Sequence, residues 1–350
     1  MASTKKNNIQ LFIHSFLSLF LISSALNLFG TGVAENTSSQ KKTVYVFDMK
    51  GMVGPAMRRQ TQKSFQEANQ LNADLIIIEM NTYGGMVDAA DSIRTKILNS
   101  NIPVYMFINN NAASAGALIS IACDSIYMRE GASIGAATVV NQQGEKMPDK
   151  YQAYMRATMR ATAEAKGKDT LITGNDTIVS WRRDPRIAEA MVDERIYIQG
   201  IIDSQKVITF TSNEAIRYGY CEGIAENIPQ IIAYAGIDNY EIKKYKITAL
   251  ESIIGFLVNP VVHGILIMII IGGIYFELQT PGIGFPLAAA AVAAILYFAP
   301  LYLEGLAENW ELIIFIIGII LIGLEIFAIP GFGVAGISGI VLMITGLTLS

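Results

Sequence analysis

The pattern of apolar and polar positions divides the chain into three parts. Residues 9–29 form an apolar stretch, residues 43–232 alternate short apolar runs with amphipathic ones, and residues 253–350 are apolar almost throughout. Short β-branched runs between turn residues predict strands, whereas apolar positions three or four apart predict helices. We therefore expect a leader, a folded α/β domain and an all-α transmembrane domain.

The central part predicts a largely parallel sheet. Amphipathic helices are expected at Gln60–Leu71 and Val87–Ser100, between short apolar runs. Strands that alternate with helices are typical of βαβ units. The predicted strands are Val44–Phe47, Leu75–Glu79, Val104–Ile108 and Ser125–Met128.

The last part, residues 253–350, predicts about four transmembrane helices. It contains no lysine or arginine, and each apolar run approaches the roughly 20 residues that cross a bilayer. The sequence ends inside the last apolar run, which is what we expect if the C-terminus is truncated. The predicted spans are Ile253–Phe276, Ile283–Leu303, Leu312–Ala328 and Phe332–Leu349.

A short repeat lies within these spans. Glu277 precedes Pro281-Gly282, and Glu325 precedes Pro330-Gly331. Glutamates at membrane depth are functional candidates. The alternative, which we favour, is that each carboxylate lies near the end of a span and that Pro-Gly closes a hairpin.

Residues 1–34 predict a signal peptide. Lys5 and Lys6 precede the apolar stretch, and the small residues of Gly32–Ala34 precede Glu35. A retained signal anchor is the alternative. In both cases the chain after Glu35 starts outside the cytoplasm.

Composition excludes several kinds of site. With 52% hydrophobic and 16% charged residues and a net charge of −4, the chain has no basic surface for nucleic acid. The two histidines, His14 and His263, both lie in apolar stretches, so a Ser-His-Asp triad or an imidazole zinc site is not expected. Cys123 and Cys221 are expected to be free thiols. No constellation indicates a metal or a cofactor.

Two turns after predicted strands carry candidate chemistry. Gly84 and Gly85 let the backbone turn sharply and expose N–H groups at a helix start. Ser114, between Ala112 and Gly116, has the small neighbours that a nucleophile elbow requires. The alternative role of Ser114 is an ordinary helix N-cap.

A base for Ser114 has to be something other than histidine. A lysine serves when a dry setting lowers its pKa. Lys150 is the first candidate because it starts an amphipathic helix, Tyr151–Ala165. Lys146 is the second, and spacing does not choose between them.

Several segments together carry a resemblance to a known family. They are Ala112–Gly116, Ser133–Ala137, the helix after Lys150, Phe210–Gly219 and the Glu/Pro-Gly repeat. In this order they closely resemble the NfeD family of membrane-bound, Clp-protease-class serine proteases. The resemblance implies a Clp-protease/crotonase-like fold over 43–232 and the following roles: Ser114 as nucleophile, Lys150 as general base, the N–H groups of Gly85 and Ala115 as oxyanion donors, and Gly84 and Gly116 as supports of the two turns.

The resemblance also implies a substrate and a location. Members of the family cleave hydrophobic segments of a stomatin-like (SPFH) partner, and the likeness implies a homo-oligomer. We expect a multi-pass protein of the bacterial inner membrane, in contact with the lipid bilayer, with its protease domain on the periplasmic or extracytoplasmic side. Asp169–Arg186 looks longer than the family's connection and is interpreted as a lid or a surface insertion.

Two other functions stay open from the sequence. A crotonase-like acyl-CoA enzyme also uses paired backbone N–H groups, although an exported domain would not meet coenzyme A. A non-catalytic membrane scaffold that pairs with a stomatin- or flotillin-like protein is the second.

Overall fold

A computed structural model of the chain describes residues 41–349 except 142, 174–175, 280–283, 305–308 and 328–332. The predicted signal peptide, 1–34, lies outside the described residues.

The α/β domain contains ten strands and seven helices within the described residues. The strands are β1 (Lys42–Lys50), β2 (Leu75–Thr82), β3 (Val104–Ala113), β4 (Ser125–Met128), β5 (Ser133–Gly135), β6 (Lys168–Thr173), β7 (Asp176–Trp181), β8 (Thr209–Thr211), β9 (Gly223–Ile224) and β10 (Tyr240–Lys244). The helices are α1 (Pro55–Gln70), α2 (Val87–Leu98), α3 (Ala115–Ile121), α4 (Asp149–Ala165), α5 (Pro185–Ala190), α6 (Ser212–Arg217) and α7 (Ile228–Tyr234).

The main sheet is parallel in the order β10-β1-β2-β3-β4-β9. β5 adds to β3 in parallel and pairs with β8 antiparallel. The four predicted strands are present, and the α/β fold class is confirmed. β10 extends the sheet to Lys244, beyond the predicted limit of residue 232.

Both faces of the sheet are buried. On β1, Tyr45 and Phe47 point into the core formed with α1 to α4, whereas Val44 and Val46 point into a smaller core that includes Ile231 of α7. Parallel sheets are covered on both faces because their crossover helices lie there. The carboxyl ends of β2 and β3, which carry the two candidate turns, are thereby held on a rigid layer.

The segment 169–186 is a hairpin anchored at its carboxyl end. β6 and β7 pair only with each other among the described strands. Just beyond them, the fully buried Arg183 donates to the carbonyl of Cys123 at 3.1 Å and to Glu222 at 2.9 Å. The hairpin is consistent with the interpretation as an insertion, whereas Arg183, near its carboxyl end, is a core residue.

Five helices make up the rest of the described chain. They are α8 (Ala249–Leu257), α9 (Pro260–Gln279), α10 (Phe285–Glu304), α11 (Asn309–Phe327) and α12 (Val334–Leu349). Among the described residues, one helix, Phe285–Leu303, is long and apolar enough to cross a membrane, or two if the bent pair α8–α9 forms one span. The first predicted span, 253–276, is divided by a 66° bend between α8 and α9, where Pro260 begins the second helix. Ile313–Glu325 and Val334–Leu347 are shorter apolar helices.

Each glutamate of the repeat contacts the start of the following helix. The buried carboxylate of Glu277, near the end of α9, accepts hydrogen bonds from the N–H groups of Gly284 (2.7 Å) and Leu287 (3.3 Å), at the start of α10. Glu325, near the end of α11, accepts one from Gly333 N–H, just before α12. The first amides of a helix lack acceptors within it, so each carboxylate caps the following helix. These contacts support a structural role for both glutamates; the two Pro-Gly steps themselves lie outside the described residues.

Candidate active site

The two glycine-rich turns meet at the carboxyl edge of the sheet. A Cβ atom built on Gly84 would lie 2.7 Å from Ser114 Cβ and 3.1 Å from Ser114 Oγ. Gly84 has a φ of +117°, which L side chains rarely adopt. The absence of a side chain at residue 84 therefore lets the backbone of the first turn pass directly beside Ser114.

Ser114 has an unusual backbone conformation. Its φ is 54° and its ψ is −116°, between the end of β3 and the first residue of α3. The Ser114 side chain makes no N-cap hydrogen bond, and its own N–H donates to Gly135 at 2.9 Å. A non-glycine residue in this region is strained by about 1–3 kcal/mol and is characteristic of functional sites. The ordinary N-cap role is thereby replaced by a sharp, half-exposed elbow.

The backbone beside Ser114 offers two N–H groups. Val53 N–H donates to Gly84 O and Met86 N–H donates to Val53 O, an arrangement that turns the N–H of Gly85 away from Val53. Ala115 is the first residue of α3, so its N–H has no acceptor within the helix. A Cβ on Gly85 would lie 2.0 Å from the Val53 carbonyl oxygen, which explains the glycine.

The two candidate lysines differ in their partners. Lys150, in the first turn of α4, is exposed, and its Nζ lies 4.9 Å from the ring centroid of Tyr151. Lys146 Nζ is paired with Glu194 at 2.8 Å. Within the described residues no hydrogen bond joins either lysine to Ser114. The dry setting that the sequence argument requires for a lysine base is thus absent around Lys150 in the single described chain.

An open cleft of about 820 Å³ extends from Met86, directly after the first turn, to Tyr151 and Tyr154 of α4. Asp88 and Asp91 lie at its α2 side, and apolar and aromatic side chains form much of the remainder. Of the residues that line it, Met86, Tyr151 and Tyr154 are exposed. Met52, Tyr83 and Val140 are exposed as well and adjoin Val53, Gly84 and Val139 in the chain. An apolar, water-accessible cleft of this size fits an extended apolar segment.

Two groups hold the start of α4 in place. Gln152 is buried, donates to the carbonyls of Val139 and Met147 and accepts from Val139 N–H. Asp193, also buried, accepts from Arg195 and Arg156, and Arg195 pairs with Asp149 at 2.7 Å. Hydrogen bonds from Arg195, opposed by burial, lower the pKa of Asp193 to about 2.

Two residues that shape the site were missed by sequence reasoning. Thr82 Oγ donates to Gly51 O at 2.5 Å and accepts from Gly84 N–H at 3.0 Å, so it braces the first turn. Gly135 provides the acceptor for Ser114 N–H, and a Cβ there would lie 2.3 Å from Ile208 O. The glycine-rich segment Gly131–Ala136 was the sequence signal that could have identified Gly135. Gly116 is likewise required, because a Cβ would meet Thr82 at 2.6 Å.

The cysteines do not contribute to the site. Cys123 and Cys221 are buried free thiols, as expected from the sequence. Burial raises the pKa of each thiol to about 12, so both are neutral.

Comparisons with known proteins agree with this architecture. Residues 43–245 match the model described as NfeD1b, N-terminal domain, and residues 261–350 match the NfeD integral membrane domain. The membrane protein NfeD1b of Bacillus subtilis is 34% identical over 96% of this chain and 72% of its own length. The membrane-bound protease PH1510 of Pyrococcus horikoshii is 26% identical over 87% of this chain and 68% of its own length.

A solved structure supports the same relationship. It is the 1510-N membrane-bound stomatin-specific protease, a lysine-to-alanine mutant in complex with a substrate peptide, with a TM-score of 0.51 and 25% identity over 62% of this chain and 98% of that one. The mixed α/β domain thus has the fold of a membrane protease domain and is followed by an integral membrane domain. The chain belongs to the NfeD family of membrane proteins.

Proposed function

We propose that this protein is a membrane-anchored serine endopeptidase with Ser114 as its nucleophile and Lys150 as its general base. The observation that carries the proposal is the strained backbone of Ser114, at a φ of 54°, in close contact with the backbone of Gly84. A helix start without a side-chain cap has no structural need for a serine at φ 54°. The relationship to a membrane-bound protease supports the same reaction class.

Each step has a candidate group. Neutral Lys150 accepts the proton of Ser114, whose Oγ attacks a peptide carbonyl, and the N–H groups of Gly85 and Ala115 bind the oxyanion. The lysine ammonium then protonates the leaving amine. A water molecule gives a proton to the same lysine and attacks the ester carbon of the acyl-enzyme. As the bond to Ser114 Oγ breaks, the lysine ammonium returns that proton to Oγ, and the acid product leaves.

The partners of the two lysines favour Lys150 as the base. Lys146 forms an ion pair with Glu194 at 2.8 Å, whereas Lys150 has no carboxylate partner among the described residues. The aromatic side chains of Tyr151, which lies beside Lys150, and Tyr154 line the 820 Å³ cleft. An apolar substrate segment, or a second copy of the domain, would exclude water from this cleft and favour the neutral amine. Catalysis is therefore expected only when the cleft is occupied.

The substrate we propose is an apolar segment of a stomatin-like membrane protein. The exposed apolar side chains around the cleft support an apolar peptide, and the related 1510-N protease is stomatin-specific. We further propose that the protein crosses the membrane several times, with the protease domain on the extracytoplasmic side, and that it acts as a homo-oligomer.

The test is cleavage of an apolar peptide by the full chain in detergent or nanodiscs. We expect cleavage by the wild type and by Lys146→Ala, and at least about 100-fold loss in Ser114→Ala and Lys150→Ala, because each removes a group of the dyad. Full activity in Ser114→Ala would refute the assignment of the nucleophile. Full activity in Lys150→Ala would refute the assignment of Lys150 as the general base. A wild type that binds its stomatin-like partner but cleaves no peptide would favour a non-catalytic membrane scaffold.

A further inference from the structure

The helix α8 carries an exposed apolar arc at the junction of the two domains. Leu250, Ile253 and Phe256 are 62%, 57% and 65% exposed, and Ile247, just before the helix, is 67% exposed. Residues three apart on a helix are offset by about 60°, so the three helical members span an arc of about 120°. Contiguous exposed apolar surface of this kind is typical of an interaction site.

The opposite side of α8 is fixed to the protease domain. Glu251 accepts from Lys63 of α1 at 2.6 Å and from Tyr245 at 2.7 Å, and it also forms a capping box with Thr248. Ile254 is buried beside it. The helix is therefore held in one rotational setting, and its apolar arc faces away from α1.

The place of α8 in the chain indicates what covers the arc. Only Val258 and Asn259 separate its last residue from α9, the first helix of the integral membrane domain, and the two axes differ by 66°. The carboxyl end of α10 also contacts α1, because Arg59 of α1 donates to Leu303 O at 3.0 Å. α8 thus lies near the start of α9 and the carboxyl end of α10. Its axis is not a continuation of the α9 axis.

The charges around α8 complement a phospholipid surface. Lys246 is exposed and directly precedes Ile247, so one lysine borders the apolar arc; Lys63 and Arg59 of α1 are engaged by Glu251 and the Leu303 carbonyl. Helices with a basic border and an apolar face lie in the headgroup region, with the apolar face about 5–10 Å deep.

We infer that α8 is an interfacial helix that binds the surface of an anionic lipid bilayer through Ile247, Leu250, Ile253 and Phe256. Through Lys63 and Glu251 it ties α1 to the membrane plane. α1 begins at Pro55, two residues after Val53, which pairs with Gly85. The bilayer surface therefore orients the protease domain relative to membrane-embedded partners.

The test uses the full chain in nanodiscs of phosphatidylcholine and phosphatidylglycerol. The only two cysteines of the sequence are buried, so a single added cysteine takes an environment-sensitive fluorophore. Ile253→Cys places it on the arc. Gly255→Cys is the matched control, because Gly255 is exposed on the other side of the helix with nothing within 4 Å of a Cβ. Quenchers are lipids that carry a spin label near the headgroup or near the acyl-chain end, and iodide in water.

At residue 253 we expect emission shifted to shorter wavelength and quenching chiefly by the headgroup-level label, whereas residue 255 is quenched chiefly by iodide. Lys246→Gln should weaken the lipid quenching at residue 253, and Lys206→Gln, at another exposed lysine, should not. Equal iodide quenching at both positions would overturn the proposal. Quenching chiefly by the deep label would make α8 part of a span, and a disulfide between two Ile253→Cys chains without lipid quenching would make a second copy the occupant; either result overturns it.

Discussion

At the scale of single residues, the site depends on two backbone conformations that side chains rarely adopt. Ser114 has a φ of 54°, and Gly84 beside it has a φ of +117°. Helix capping does not explain the conformation of Ser114, since its side chain makes no cap hydrogen bond at the start of α3. Strain of this kind persists when the surrounding structure enforces it, here through Thr82 and Gly135.

Gly84→Ala tests whether the close approach of the two turns matters. The added methyl group would lie 2.7 Å from Ser114 Cβ, so the elbow has to move. We expect at least about a tenfold loss in the rate at which a fluorophosphonate labels Ser114, because small displacements of a nucleophile reduce rates strongly. Gly131→Ala is the matched control: its φ is +80° but its Cβ position is open, and labelling should stay near the wild-type rate. Equal effects of both substitutions would contradict the model of the elbow.

Asp193 predicts a pH dependence of stability. Its pKa is lowered from 3.8 to about 2 in the folded protein, chiefly by hydrogen bonds from Arg195. A lowered pKa stabilises the folded state above the unfolded value, and this stabilisation is lost as the pH falls from about 4 to about 2. We expect Asp193→Asn to lower the free energy of unfolding at pH 7 by about 2 kcal/mol and to flatten this acid dependence.

Thermal unfolding at a series of pH values measures the effect. Glu226→Gln serves as control because Glu226 is largely exposed and its pair with Arg129 is long, at 3.7 Å. It should change stability by less than about 0.5 kcal/mol. An Asp193→Asn variant with the wild-type acid dependence would show that the Arg195 cluster does not stabilise the fold.

At the scale of elements, the same helix-capping contact occurs twice in the membrane domain. A glutamate near the end of one helix caps the next helix, in α9–α10 through Glu277 and in α11–α12 through Glu325. Close packing accompanies it, since a Cβ on Gly318 of α11 would lie 2.7 Å from the carbonyl of Gly339 of α12. Both glutamates therefore have a structural role.

Glu277→Ala removes one of these caps. The N–H groups of Gly284 and Leu287 would lose a charged acceptor, which destabilises by about 1–3 kcal/mol. We expect a lower midpoint of thermal unfolding in detergent, while Gln279→Ala, at an exposed residue of the same helix end, leaves it unchanged. An unchanged midpoint in Glu277→Ala would return that glutamate to the functional candidates.

The sequence predicted elements better than it predicted their limits. Apolar β-branched runs identified the first four strands, yet β3 continues to Ala113 through Asn109 to Asn111, whose polar side chains hide the strand. There Asn109 bonds to Glu79 and Arg129. The apolar run from Ile253 concealed the bend at Pro260, because hydropathy does not record helix direction. The contact of Gly84 with Ser114 was not predictable, since it depends on the register of β2 against β3.

At the scale of the whole molecule, the chain joins a protease-like domain to a membrane domain through α1 and α8. Lys63 and Arg59 of α1 bind Glu251 and the Leu303 carbonyl, respectively. The same helix begins beside Val53, the backbone partner of Gly85. The membrane domain therefore contacts an element that borders the candidate oxyanion site, which suits an enzyme whose substrate lies in or on the bilayer.

The most direct test of the central claim is the rate of fluorophosphonate labelling of the full chain in nanodiscs as a function of pH. If Ser114 is a nucleophile activated by a neutral lysine, labelling rises with pH, is abolished in Ser114→Ala, falls strongly in Lys150→Ala and is retained in Lys146→Ala. Labelling that persists in Ser114→Ala, or that is absent from the wild type over the whole pH range with an apolar peptide present, would contradict the account.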